Sequence, residues 1–203
     1  MEIHILNNGS FTLDKSFLVY SKYQGTLYEA ALKPTLVLTE KEKILIDTGI
    51  GKLPSPHRRF HKVKATPHET MQMQLQKFGL KPEDITIVIN THLHFDHCGN
   101  NKLFKNSHFY VQADELRYAY APDRFQKAAY IRDFFETGAD YDMLNGKCQV
   151  TNDVTIVPTP GHSIGHQSVI IQKDLDRFVY CGDAAPMMEN LEKRNIPRRT
   201  SPS

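Results

Sequence analysis

The stretch Thr91-His92-Leu93-His94-Phe95-Asp96-His97-Cys98-Gly99-Asn100 limits what this chain can become more than any other. Three histidines and an aspartate fall within six residues of it. They follow the run Ile85-Thr86-Ile87-Val88-Ile89-Asn90, β-branched and apolar, which reads as a buried strand. The cluster therefore stands where a strand gives way to a loop. His92 and His94 are two apart and can point to the same side of an extended segment. Asp96 and His97 come after the chain begins to turn and can approach from another side. Imidazole nitrogens with a carboxylate oxygen suit zinc, and also iron or manganese. The alternative is a polar loop with scattered histidines, and so dense a cluster argues against it.

A chain of 203 residues is long enough for one sizeable core. A hydrophobic content of 40% with 24% charged residues is ordinary for a globular protein. The formal charge of +2 gives no argument for nucleic acid or a membrane surface as partner. No apolar run approaches the ~20 residues of a membrane span. The start shows no charged segment followed by an apolar one, because Glu2, His4, Asn7 and Asn8 interrupt it. Cys98, Cys148 and Cys181 are an odd set that cannot close into disulfides, so reduced thiols and a cytoplasmic location are expected.

Strands are expected at residues 2–6, 17–20, 34–38 and 43–46, the last two as a hairpin that runs into Asp47-Thr48-Gly49. Asp47 either braces the histidine loop or caps its own turn. Residues 51–65 form a long connection, rich in Pro, His, Arg and Lys, that either borders a substrate entrance or is a solvated basic loop. Thr66-Pro67-His68-Glu69 opens a helix whose apolar face is Met71, Leu75 and Phe78 and whose end is Gly79. Residues 101–104 read as a short turn or helix, 108–111 as a strand, and 113–120 and 123–135 as helices separated by Pro122. Further strands are expected at 154–157, 168–171 and 177–181. Three of these strands end in ligand-type residues: His92, His94, Asp96 and His97 after the first, His162 after the second, Asp183 after the third. Ligands at successive strand ends converge readily on one edge of a sheet.

These pieces together resemble the metallo-β-lactamase fold hydrolases: Asp-Thr-Gly, Thr-His-Leu-His-Phe-Asp-His-Cys-Gly, Thr-Pro-Gly-His-Ser-Ile-Gly-His-Gln-Ser and Gly-Asp-Ala-Ala, in that order. The segment from Thr159 to Ser168 looks most like the N-acyl homoserine lactonases and their neighbours. The resemblance implies an αββα four-layer sandwich over residues 1–189, incomplete at its C-terminal side, followed by a disordered basic tail at 190–203. It implies two divalent metals, zinc first: one held by His92, His94 and His162, the other by Asp96 and His97, with Asp183 between them. A hydroxide bridging the metals would open a lactone or ester, and Asp96 would relay the proton to the leaving alkoxide. His166 would support this site without binding metal, and Cys98 would pack beneath it. The implied partner is a small-molecule substrate, with a homodimer left open. Two departures stand out. No histidine follows His166, where the family supplies a further ligand, so the second metal is expected to be weakly held. Pro186 also stands where the lactonases often carry a tyrosine. A thioesterase of the glyoxalase II type and a weakly active metal-binding protein are the competing expectations.

Overall fold

The structure, a computed structural model, describes residues 1–59 and 61–192. Among these residues the strands are β1 (Glu2–Ile5), β2 (Ser10–Asp14), β3 (Leu27–Ala31), β4 (Thr35–Leu38), β5 (Lys43–Ile46), β6 (Lys62–Lys64) and β7 (Ile87–Ile89). They continue with β8 (His108–Gln112), β9 (Tyr141–Leu144), β10 (Cys148–Gln149), β11 (Val154–Pro158), β12 (Gln167–Lys173) and β13 (Asp176–Tyr180). They form a six-stranded sheet in the order β1-β4-β5-β7-β8-β9, a four-stranded sheet β10-β11-β12-β13 and a three-stranded sheet β3-β2-β6. In the first, β1, β4 and β5 are antiparallel neighbours, while β5, β7, β8 and β9 run parallel.

Period-two alternation sorts the side chains into layers. Val37, Ile44, Ile46, Ile87 and Ile89 turn one way and meet Val154, Ile156, Val169 and Ile171 of the four-stranded sheet. Leu36, Leu45, Val88 and Phe109 turn the other way and meet Met71 and Leu75 of the helix Met71–Gln76. The central strands β5 and β7 are therefore apolar on both faces, as a strand covered on both sides must be. The fold is the expected pairing of two sheets with a helix layer over the larger one. On the smaller sheet, β13 leaves Phe178 and Val179 44% and 57% exposed. No helix among the described residues is long and apolar enough to cross a membrane.

Several local expectations need correction. No strand forms at 17–20. A 3-10 turn, Lys15–Phe17, occupies that region, and the strands on either side are β2 and β3. Asp14 explains the turn: its carboxylate accepts from Ser16 N at 2.9 Å and from Gly25 N at 2.7 Å, folding the connection back on itself. The connection 51–65 holds a short helix, Ser55–Arg58, and strand β6, which pairs with β2. The helix expected at 123–135 is reduced to Arg132–Phe135. Ahead of it, tight turns close through Asp123 O and Gln126 O, and Ala129 O is taken by Phe95 N at 2.8 Å. A tertiary hydrogen bond to the histidine loop thus replaces a helical one. The helix start at Thr66 is a 3-10 turn, Pro67–Glu69, and Thr70 caps a separate helix. The domain boundary expected at 189 falls inside the helix Met188–Glu192, and 193–203 of the expected tail lie outside the described residues.

The histidine loop is clamped to the end of β5 by main-chain contact. Gly49 and Cys98 form a parallel bridge, and Gly99 N donates to Gly49 O at 2.8 Å. A Cβ at Gly99 would lie 2.2 Å from Gly51 N and 2.8 Å from Gly49 O, backbone atoms that cannot swing aside. Gly99→Ala should therefore cost about 2–3 kcal/mol of folding stability. Denaturant unfolding measures this, and a wild-type midpoint would show that the two loops are free to separate.

Candidate metal centre

The site is assembled where β5, β7, β11 and β13 end. At the end of β5, Asp47 takes a left-handed backbone conformation, φ 58°, which turns the chain. Its carboxylate, 1% exposed, is filled by neighbours of the histidine loop. Oδ1 accepts from Thr91 N at 2.7 Å, and Oδ2 accepts from Thr91 Oγ1 at 2.8 Å and meets His97 Nδ1 at 2.8 Å. Of the two sequence alternatives for Asp47, the first holds: its carboxylate braces the histidine loop, and the partners of that carboxylate lie outside its own turn.

Beyond β7, His92 and His94 do emerge on a common side, with ring centroids 4.5 Å apart. His162 joins them from the loop after β11, its Nε2 lying 3.0 Å from His94 Nδ1. One ligand-type atom from each of His92, His94 and His162 falls within a 4.8 Å cluster, and so does one from each of His92, His97 and Asp183. Asp183 reaches both sides: Oδ2 is 3.2 Å from His162 Nε2 and Oδ1 is 3.4 Å from His97 Nε2. Asp96 stands at the edge of the second cluster, 3.5 Å from His97 Nε2, and outside the tight set. That grouping contains His92, whose ring lies 4.1 Å from that of His97.

The chemistry of this donor set suits a cation. His92 Nε2 and His94 Nε2 are buried and have no hydrogen-bond partner among the described residues. A buried polar atom left unpaired is costly, and a metal ion would satisfy both. Burial, reinforced by the other histidines, holds the pKa of His92 and His94 well below the ordinary imidazole range, so both are neutral and free to donate lone pairs. At His97 burial opposes the charge, but Asp96, Asp183 and Asp47 outweigh it and raise the pKa well above the usual value. At Asp183 burial pushes upward, and His97 and His162 more than reverse it. The cluster thus carries strong internal attraction around a polar centre.

Supporting residues fix the loops. His166 is fully buried; Nδ1 pairs with Thr159 Oγ1 at 2.9 Å and Nε2 accepts from Asp183 N at 3.1 Å. Both its nitrogens are engaged, which keeps it out of the ligand set, and burial pushes its pKa down to about 3. Cys98 lies buried under the loop with Sγ donating to Leu93 O at 3.3 Å. His61, from the connection 51–65, lines the cavity over the site, its ring 4.4 Å from that of Phe95, in line with the first of the two readings of that connection. That cavity, of about 1640 Å³, has His94, Asp96, His97, His162 and Asp183 in its wall. Phe11, Leu13, Phe17, Tyr28 and Phe125 make other parts of the wall apolar.

Sequence reading missed Glu115. It sits in the first turn of the helix Ala113–Tyr120 with 0% exposure. Its carboxylate accepts from Leu93 N at 2.9 Å, Gly165 N at 3.1 Å and Tyr130 OH at 3.1 Å. It therefore ties the His92–His97 loop to the His162–His166 loop. Nothing in the Asp-Glu-Leu-Arg pattern marks this carboxylate as buried, since acidic residues are common in a helix's first turn. Glu115→Ala, which strands three buried donors, should cost about 3 kcal/mol or more, and Tyr130→Phe, which removes one donor, about 1 kcal/mol. Equal losses for the two variants in denaturant unfolding would show that the carboxylate is not the tie.

The sequence pattern of the Metallo-beta-lactamase superfamily matches residues 34–200. An N-acyl homoserine lactonase of Bacillus cereus is 28% identical over 201 residues, covering 94% of this chain and 78% of that protein. The N-acyl homoserine lactonase AttM of Rhizobium radiobacter is 35% identical over 132 residues, 61% of this chain and 50% of its own length. The solved structure of an N-acyl homoserine lactone hydrolase, with the product N-hexanoyl-L-homoserine bound at its catalytic metal centre, superposes with a TM-score of 0.85. It is 26% identical, and the match covers 98% of this chain and 82% of that one. The chain belongs to the metallo-beta-lactamase superfamily and is one of its hydrolases.

Proposed function

We propose that this protein is a two-metal lactonase acting on N-acyl homoserine lactones or closely related esters. The observation that carries the reading is the split reach of Asp183, with one carboxylate oxygen toward His162 and the other toward His97. A carboxylate between two donor sets is what a bridged pair of cations requires. His92, His94 and His162 would hold one ion, Asp96 and His97 the other, and Asp183 both. Two such ions, zinc first, would supply an activated water and a Lewis acid for the ester carbonyl.

The chain's own residues supply the rest. Asp96, at the cavity wall and 12% exposed in its side chain, is set to accept the proton of the attacking water and return it to the departing alkoxide oxygen. The apolar wall of Phe11, Leu13, Phe17 and Tyr28 would hold an acyl chain and keep bulk water from the ester. The names of the similar proteins support a lactone as substrate. Free Cys98, Cys148 and Cys181 support a reducing compartment, hence the cytoplasm.

Two variants test the reading. His94→Ala should lose most of the bound metal, measured by elemental analysis, and unchanged metal content would remove the site. Asp183→Asn should lose ~100-fold or more in lactone turnover, far more than it loses in folding stability. The panel should span short and long N-acyl homoserine lactones and an unsubstituted lactone. A metal-loaded protein that opens none of them is not a lactonase.

A further inference from the structure

Tyr180 ends β13, three residues before Asp183, and is partly buried against the core between the two larger sheets. Its hydroxyl crosses to the end of β5 and lies 3.2 Å from Asp47 Oδ2. It is also 3.4 Å from Lys33 O. A phenol has one proton to donate. The nearer carboxylate oxygen takes it, since a hydrogen bond to a carboxylate is the stronger of the two. Burial, then the neighbouring Asp47, push the Tyr180 phenol well above its ordinary range, so it remains a donor.

Asp47 Oδ2 is the atom that meets His97 Nδ1 at 2.8 Å. The opposite ring nitrogen, His97 Nε2, faces Asp183 and Asp96 at 3.4 and 3.5 Å. The bearing of His97 toward the cluster therefore depends on where the Asp47 carboxylate sits. Thr91 holds that carboxylate from within the histidine loop, through its backbone N–H and its hydroxyl. Tyr180 holds it from the other sheet. His94 and His162 form no hydrogen bond with Asp47 or Tyr180; they meet each other and, through His162, Asp183. His92 Nδ1 reaches the Asp47 carboxylate only through the Thr91 hydroxyl, 3.0 Å away.

We propose that Tyr180 is a positioning residue for one side of the centre: its O–H fixes the Asp47 carboxylate that orients His97, and so sets metal affinity on the His97 side while leaving the His94–His162 side unchanged. The proposal rests on the two-metal reading. Partners of this kind, one step removed from the ligands, typically change metal affinity by about 10–100-fold.

The test is zinc titration of the metal-stripped protein in competition with a chromophoric chelator. The proteins are the wild type, Tyr180→Phe, Asp47→Asn and the double variant. The wild type should take up two zinc ions. Tyr180→Phe should bind the first as tightly as the wild type and the second about 10-fold more weakly. Because Tyr180 acts through Asp47, the double variant should be no weaker than Asp47→Asn alone. Phenylalanine keeps the ring, so the metal-free unfolding midpoint should fall no further than in Tyr130→Phe, which likewise takes one phenol from a buried carboxylate, and this separates positioning from a general loss of structure. Unchanged zinc affinity in Tyr180→Phe, equal loss at both steps, or additive losses in the double variant would overturn the proposal and leave the two-metal reading intact. Fewer than two zinc ions on the wild type would overturn that reading, and the proposal with it.

Discussion

The buried carboxylate of Asp47 is the interaction on which the site depends. Removed from water, an acidic group must be supplied with donors, and here every donor comes from a segment that also carries site residues. Thr91 opens the histidine loop, His97 belongs to it, and Tyr180 leads the chain toward Asp183. Satisfying one carboxylate therefore draws the ends of β5, β7 and β13 into register with each other. Glu115 does the same for the other side of the centre, where it binds the histidine loop to the loop after β11. The two carboxylates act as buried fasteners, one on each flank of the cluster.

The apolar layers explain why the fasteners meet. β5 and β7 are parallel neighbours that, past Lys43, are apolar on both faces, so they lie deep in the sandwich and end at the same edge. β11 and β12 belong to the opposing sheet, and their inward residues interlock with those of β5 and β7. The core sets the distance between the sheets, and the polar residues at the strand ends inherit that distance. The close packing of Gly99 against Gly49 and Gly51 then leaves the histidine loop no room to shift along the edge.

Much of this was readable in the residues. The short, continuous apolar runs in 34–38, 43–46 and 85–90 match the strands formed there, because runs so short and rich in β-branched residues suit a strand buried on both faces. The convergence of His92, His94, His97, His162 and Asp183 followed from their places after strands. Asp96 stands at the rim of the cluster, and spacing alone could not distinguish rim from centre, since that depends on how the His92 and His97 rings pack. β2 and β3 were missed because Asn7-Asn8-Gly9 and the turn closed by Asp14 look like loop on either side of a short run. The 123–135 segment has helical spacing but spends Ala129 O on Phe95, a contact that no local pattern reports. Glu115 and Tyr180 were invisible for the same reason: their partners lie far away in sequence, at Leu93, Gly165 and Asp47.

The three-stranded sheet of β2, β3 and β6 stands apart from the paired sheets, yet it furnishes Phe11, Leu13, Tyr28 and Ala30 to the cavity. The ligand-type residues all come from the other two sheets and their connections. Wall and centre are thus separate parts joined at one cavity. Substitutions in the wall can reshape what fits inside while the polar cluster keeps its geometry. A lineage built this way can change its diet without rebuilding its chemistry.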